Sequence, residues 1–470
     1  MRYYYLVLLF SFFMYENLYF CHCCCCGDCG VSEGRQISAS SKINDQTTNL
    51  GKMNYNNKKT GAGVKEGKSV DVANFIKKGL FNTYKKKNRI SKNNNSWKID
   101  EGGDINKTTE VIYKSNKDSL YKSFIDEFKV IENKNIDEFT NGIVSHHITF
   151  DNLCNTCYLN SCLQFLTHNY EFVKFVLENI IKIKDTDDRI KNATISMSLC
   201  RLLLCIYGNN NDQLVVDRLL ESILYFFLHK ETEGKEGYNN NYKYEEFHFG
   251  EQADIYQFLV HFFDDLEAEF NTKLYEVFLT NNINFLYIQE KKKFNRGQDE
   301  KNYVLMLEVK DKNNNLNTMI EKINNQPEKI KDFISGGEKV EAIKQIFYDQ
   351  ESKNFLIYLK RYSYNEEKKE AKKNDADVEF GEVIEIGDAE SDKKKYEIVS
   401  VIVQIGGVNA GHYICYVKIG GNWFLFDDNI LTKFTSFNEA YNYKLSGPYE
   451  AGLKKAYFIS AKLIEDKKKD

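Results

Sequence analysis

The sequence predicts an α+β fold in which helices come first and strands follow. Leu159, Cys162, Leu163 and Leu166 recur at the i, i+3, i+4, i+7 spacing of one helical face, and Ile255, Phe258, Leu259, Phe262 and Leu266 repeat it in "QADIYQFLVHFFDDLEAEF". The later segments "NFLIYLKRYSY", "YEIVSVIVQIG", "HYICYVKI" and "NWFLFDD" are instead short, rich in β-branched and aromatic residues, and parted by Gly and Asn, which is the pattern of strands. With 470 residues, 42% hydrophobic and 14% aromatic, the chain can bury the core of one large domain or two ordinary ones.

Taken in order, the first segment, 1–29, is apolar and Cys-rich. The run Tyr3 to Tyr15 follows a lone Arg2 and is interrupted by Glu16 and Asn17, so it is too short to span a bilayer alone. Three readings stay open: a signal peptide, a membrane anchor extended through the cysteines, or neither. No A-x-A-like cleavage site supports the first. For an anchor, Arg35, Lys42, Lys52, Lys58 and Lys59 outweigh Arg2 and favour a cytosolic C-terminal side. The cluster Cys21 and Cys23 to Cys26 suits palmitoylation, and Cys26-x-x-Cys29 with His22 lacks the second ligand pair of a metal site. Residues 30–117 are rich in Ser, Asn, Lys and Gly and read as a largely disordered linker, with one amphipathic patch in "VANFIKKGLFNTY".

Periodic apolar segments begin near Tyr121 and run to Ile464. Within the strand region the stretch near 364–395 is dense in charge and reads as a solvated insertion. Between the last two strands "GGN" supplies a hairpin turn. A net charge of -4 gives no basic excess for phosphate backbones, so nucleic acid is not an expected partner. The six cysteines from Cys154 to Cys415 are scattered singly, as in a reducing compartment.

A thiol attacks a carbonyl only as thiolate, so a cysteine nucleophile needs a helix N-terminus, a base, or both. Cys157 stands where the turn-like "NLCNTC" gives way to a helix, and His412 lies between a glycine-containing turn and a strand. If that strand pairs with the next through the "GGN" hairpin, Asp427 or Asp428 returns beside the histidine. Each residue alone has a plainer reading, as a core cysteine, a buried histidine and a turn-capping acid pair.

Five segments then match a family in order. "FDNLCNTCYLNSCLQFL", "EQADIYQFL", "NFLIYLKRYSY", "YEIVSVIVQIGGVNAGHYICYVK" and "NWFLFDD" resemble the cysteine box, the Gln-x-Asp helix, the Leu-Lys-Arg strand and the histidine box of the ubiquitin-specific proteases. The resemblance covers roughly Thr140 to Lys462 and implies a catalytic domain over 140–464. Its fold would be papain-like, with a helical thumb, a β-rich palm and a fingers region. The implied roles are Cys157 as nucleophile, His412 as general base, Asp427 as its orienting acid and Asn152 as oxyanion donor. Asp428 matches a second acid that assists or replaces Asp427, and Asp254 an acid that binds an arginine of the ubiquitin tail.

Departures from the family pattern are as specific. Cys154 replaces the usual Gly, so a positive φ there is strained, and Cys154-x-x-Cys157 becomes a pair able to form a reversible disulfide. Gln257 replaces a usual acid, which removes one charge from the tail site, and "QIGGVNAGH" lacks the common His-Ser-Gly. No cysteine lies between Cys205 and Cys415, so the fingers, about Lys273 to Lys353, are expected to be reduced and zinc-free.

The resemblance thus implies a cysteine-dependent deubiquitinase without metal or cofactor, hydrolysing the bond after ubiquitin's C-terminal glycine. Its partners would be ubiquitin and ubiquitinated proteins, and its location cytoplasmic, with an N-terminal membrane tether. The rivals are a catalytically impaired ubiquitin-binding scaffold, a thiol oxidoreductase built on the Cys154 and Cys157 pair, and a protease for another ubiquitin-like modifier.

Overall fold

The computed structural model describes residues 91–93, 96–98, 117–122, 124–125, 128, 136 and 147–465, with breaks at 185–186, 209–212, 230–241, 279, 289–292, 297–299, 326, 336, 349–351, 366–369, 387–392, 408–410 and 446–452. The chain divides into two compact units, one of residues 22–102 and one of 1–21 with 103–470. In the smaller unit the described residues form a hairpin, Ser91–Asn93 against Ser96–Lys98, inside the stretch read as a linker. The 1–29 segment and the amphipathic patch lie outside the described residues. Among the described residues no helix is long and apolar enough to cross a membrane.

The larger unit opens with helices α1 (Cys157–Thr167), α2 (Tyr170–Lys184), α3 (Asp187–Asn192), α4 (Thr194–Tyr207), α5 (Gln213–Leu228) and α6 (Ile255–Phe270), which form the thumb. α1 is buried along its whole length, because α6 and α2 flank it and the later sheet covers the rest. α6 starts where the Asp254 carboxylate accepts the amides of Tyr256 and Gln257, and stops at Asn271 with φ 51°. α4 has no side-chain cap of its own at Ala193. Glu269 of α6 supplies it, accepting Ile195 N at 3.0 Å and Ser196 N at 2.7 Å, so one helix end is capped by its neighbour. That carboxyl is pushed up to about 7 by burial, against the bonds from Ser196 and Ile195.

Two sheets follow. The fingers sheet contains β1 (Thr280–Ile288), β2 (Lys293–Arg296), β3 (Glu300–Asn302), β5 (Glu328–Ser335) and β6 (Glu338–Tyr348) in the order β2-β1-β6-β5, with β3 also on β1. The palm sheet contains β4 (Val304–Glu308), β7 (Asn354–Lys360), β8 (Val383–Ile386), β9 (Lys394–Gly406), β10 (Gly411–Ile419), β11 (Asn422–Asp427), β12 (Ile430–Phe434) and β13 (Lys454–Leu463). Its order is β12-β11-β10-β9-β13-β7-β4, with β8 on β9, and every pair is antiparallel except β7 with β4. Its central strands read as continuous apolar runs because both faces are covered. α1 packs on one, and on the other Leu305, Ile357, Val403, Ile414 and Tyr416 join a core with Leu316 and Ile320 of a further helix, α7 (Leu316–Asn325). The predicted hairpin forms at Gly420 and Gly421, whose φ values of 55° and 82° are those a tight two-residue turn requires.

The structure corrects one expectation. The charged stretch near 364–395 is not a solvated insertion throughout. Val383–Ile386 pairs with β9, and Ile384 and Ile386 are buried in the palm core with Val378. Every second residue of that strand faces inward, so two apolar side chains suffice to dock it, and the alternate residues Val383 and Glu385 point to solvent.

Candidate active site

The loop before α1 is bent by two consecutive left-handed residues, Cys154 at φ 79° and Asn155 at φ 57°. Asparagine tolerates this region, whereas a cysteine there costs roughly 1–2 kcal/mol. The bend is held by Leu153 N to Thr156 Oγ1 at 2.8 Å, Thr156 N to Asn152 Oδ1 at 3.0 Å, and Asn155 Nδ2 to the Gly250 carbonyl at 2.8 Å. Cys157 is therefore delivered at the first position of α1, at the positive end of the helix dipole, and is buried.

Across from it, the start of β10 presents His412. Its Nε2 donates to Asp427 Oδ1 at 2.6 Å, and the ring is also hydrogen-bonded to the Cys157 side chain. With Nε2 taken by Asp427, Nδ1 is the nitrogen left for the thiol. Burial by itself lowers the His412 pKa, but the bonds and charges of Asp427 and Cys157 outweigh it and hold the ring up at about 10. The imidazole is thus kept as imidazolium at neutral pH, with the sulfur of Cys157 and the carboxylate of Asp427 as its partners. The expected Cys157, His412 and Asp427 come together in one chain of bonds.

Asp428 does not touch His412 in the same way. Its Oδ2 accepts Asn152 Nδ2 and its Oδ1 accepts Asn160 Nδ2, each at 2.8 Å, while its backbone carbonyl accepts Phe150 N at 3.2 Å. Burial raises its pKa, opposed by the His412 charge and by these two amides. His412, Asp427 and Asp428 bring ligand-type atoms within 4.8 Å of one another, but their bonds run to each other and to the two asparagines.

With this geometry in view, the comparisons decide the family. The sequence profile of the ubiquitin carboxyl-terminal hydrolases matches residues 148–458. The chain belongs to that family. A stretch of 100 residues, 20% of this chain, is 35% identical to ubiquitin carboxyl-terminal hydrolase 12 of Salmo salar, and it spans only 27% of that relative. The fold is similar to that of the SAGA Ubp8/Sgf11/Sus1/Sgf73 DUB module bound to ubiquitin aldehyde, with a TM-score of 0.52 at 20% identity, over 79% of this chain and 78% of that chain. It is similar also to a form of that module bound to monoubiquitin, with a TM-score of 0.54 at 18% identity, over 79% of this chain and 77% of that chain. At these identities the likeness is one of fold, and it places the thumb and palm of this ubiquitin carboxyl-terminal hydrolase as the sequence led us to expect.

The remaining family positions fall near the same cleft. Asp254 is the cap of α6, and its second oxygen accepts Tyr457 OH at 2.6 Å and Tyr413 OH at 3.5 Å. Burial raises its pKa, opposed first by the Tyr457 bond and then by the helix amides. Gln257 is exposed on the first turn of α6. Cys154 is exposed and Cys157 buried, and neither is held in a disulfide.

Two residues escaped the sequence reading. Gln252 makes a two-point amide contact with Gly411, donating to its carbonyl at 3.0 Å and accepting its N–H at 3.3 Å, immediately before His412. Gly411 must be glycine, since an added Cβ would lie 2.8 Å from the Ile405 carbonyl oxygen. The second is Asn160, whose only sequence signal is a carboxamide one helical turn after Cys157.

Proposed function

We propose that the chain is a cysteine-dependent deubiquitinase that hydrolyses the isopeptide or peptide bond after the C-terminal glycine of ubiquitin. The observation that carries the proposal is the bonded series from Cys157 through His412 to Asp427, with its 2.6 Å histidine–carboxylate contact at a helix N-terminus. In the proposed reaction the Cys157 sulfur, as thiolate, attacks the carbonyl carbon and the carbonyl oxygen becomes an oxyanion. Asn152 donates to that oxygen. The tetrahedral species collapses as the imidazolium of His412 gives its proton to the departing lysine amine, leaving a thioester. Water then attacks the thioester, its proton passes to His412, and the thiol and a free ubiquitin carboxylate are released. Asp427 keeps the ring oriented and favours its charged form throughout.

We assign Asp254 and Gln257 to the tail site. Here one observation favours a second reading, a different ubiquitin-like modifier. The Asp254 carboxylate is already engaged by Tyr457 and by the helix amides, and Gln257 brings no charge, so a basic tail meets a weaker anion. We further read the fingers as standing without zinc, since no cysteine lies between Cys205 and Cys415. Ubiquitin is cytosolic, so we read the 1–29 segment as a tether that leaves the catalytic unit on that side, supported by the basic residues that follow it. A glycan at Asn106 or Asn192 in cells would overturn that placement.

The direct test is to mix the protein with ubiquitin carrying a C-terminal thiol-reactive electrophile and weigh the product. A one-ubiquitin mass gain, lost in Cys157→Ala, is the expected result. No gain with ubiquitin, but a gain with another modifier built the same way, would favour the second reading; no gain with either would remove the nucleophile assignment.

A further inference from the structure

Building on the reading of this site as a cysteine hydrolase, we infer that Asn160 is a positioning residue that fixes the oxyanion donor Asn152 through the carboxylate of Asp428. Asn152 Oδ1 accepts Thr156 N at 3.0 Å, which identifies that atom as the oxygen and sets the amide's orientation. Nδ2 carries two hydrogens. One goes to Asp428 Oδ2 at 2.8 Å, and in the proposed reaction the other is the one offered to the oxyanion. The direction of that second hydrogen therefore depends on where Asp428 holds the first.

Asp428 is held in turn by Asn160. The Nδ2 of Asn160 donates to Asp428 Oδ1 at 2.8 Å and to the Asp151 carbonyl at 3.1 Å, so one buried amide grips both the carboxylate and the loop that carries Asn152. Asn160 is 2% exposed, and its Oδ1 is buried with no hydrogen-bond partner. A buried carbonyl without a donor is an unfavourable arrangement that calls for a reason. The reason lies at the other end of the amide. Turning it over would set an oxygen against two acceptors, Asp428 and the Asp151 carbonyl, and would release the carboxylate. Asn160 stands one helical turn from Cys157, so the same helix that mounts the sulfur also sets the donor for the oxyanion.

Three full-length variants, Asn152→Ala, Asn160→Ala and the double variant, test this against two substrates. Hydrolysis of a fluorogenic ubiquitin amide passes through an oxyanion. Capture of ubiquitin bearing a C-terminal alkyne forms a vinyl thioether without one, and so reports fold, ubiquitin recognition and thiol reactivity. Removing an oxyanion donor typically lowers kcat by about 10²- to 10³-fold. Asn160→Ala is expected to lose at least about tenfold in kcat with KM and alkyne capture unchanged, and to add nothing to Asn152→Ala. Unchanged hydrolysis, or losses that multiply in the double variant, would overturn the inference. Should Asn160→Ala fail to fold, Asn160→Asp keeps the shape and sets a carboxylate against Asp428. Its kcat relative to the parent should recover as the pH falls and the introduced carboxyl gains a proton to donate; a pH-independent ratio would overturn the inference. If the parent protein captures no alkyne probe, the reading of the site itself fails, an outcome distinct from either of these.

Discussion

Replacing Asp427 by Asn keeps a side chain of the same shape 2.6 Å from His412 Nε2 and removes its charge. Burial alone pushes the imidazole down, and the bonds and charges of Asp427 and Cys157 together lift it from 6.5 to about 10. That lift is on the order of 5 kcal/mol in favour of the imidazolium. With two partners supplying it, the loss of one charge removes roughly 2–3 kcal/mol, the upper range for a hydrogen bond to a charged group. If the whole amount is felt in the transition state, kcat falls by roughly 30- to 150-fold. The same substitution has a signature in stability. A histidine raised in the folded state contributes stability that is complete below its unfolded value of 6.5 and is lost as the pH climbs through about 10. The variant loses its smaller contribution sooner, so parent and variant should differ by roughly 2–3 kcal/mol near pH 6.5 and converge toward pH 10. Urea unfolding between pH 6.5 and 9.5, alongside hydrolysis of a ubiquitin amide, measures both. A stability gap that stays constant over that interval, or an unchanged kcat, would refute the pairing of Asp427 with a charged His412.

Three further outcomes follow from single contacts. Cys154→Gly removes the left-handed strain at φ 79° and adds glycine's entropy to the unfolded chain, for a net gain of about 0.5–1 kcal/mol, read as a higher urea midpoint at unchanged slope. Asp254→Asn keeps a good helix cap, so stability should hold, whereas Asp254→Ala should cost about 1 kcal/mol; a rise in KM for ubiquitin in the Asn variant at constant kcat would test the proposed role of this charge in tail binding. Gly411→Ala drives a Cβ to 2.8 Å from the Ile405 carbonyl, displacing the start of β10 and the Gln252 contact, and should lower kcat by about 100-fold while the protein still unfolds cooperatively in urea.

The helices that carry the chemistry could be read in advance because their apolar residues recur at helical spacing, and α1 and α6 begin and end where that spacing does. The return of Asp427 to His412 was readable too, since two adjacent glycines between apolar strands leave few other turns. Other features depend on partners far along the chain. Asn160 meets Asp428 across 268 residues, Gln252 meets Gly411 across 159, and Asp254 meets Tyr457 across 203. The neighbouring sequence of each gives no sign of its partner. In α1 the pattern even misleads, because a polar residue suggests a solvent face and this helix has none. The charged stretch near 364–395 fails for the opposite reason. Its charges dominate any window average, while docking needs only Val378, Ile384 and Ile386 to face inward.

The adjacent pair Asp427 and Asp428 shows how one backbone angle assigns two neighbours to different tasks. Successive residues of a strand point to opposite faces, so a straight continuation of β11 would send one carboxylate toward His412 and the other away from the site. The strand instead ends at Asp427, and Asp428 takes φ 49° in the turn to β12, a conformation that Asp tolerates better than most residues. The turn brings the second carboxylate back toward the loop before α1, where each of its oxygens receives an asparagine amide. Asp428 is therefore engaged by two amides, while Asp427 bonds the histidine. The two neighbouring acids thus take different partners, Asp427 the imidazole of His412 and Asp428 the amides of Asn152 and Asn160.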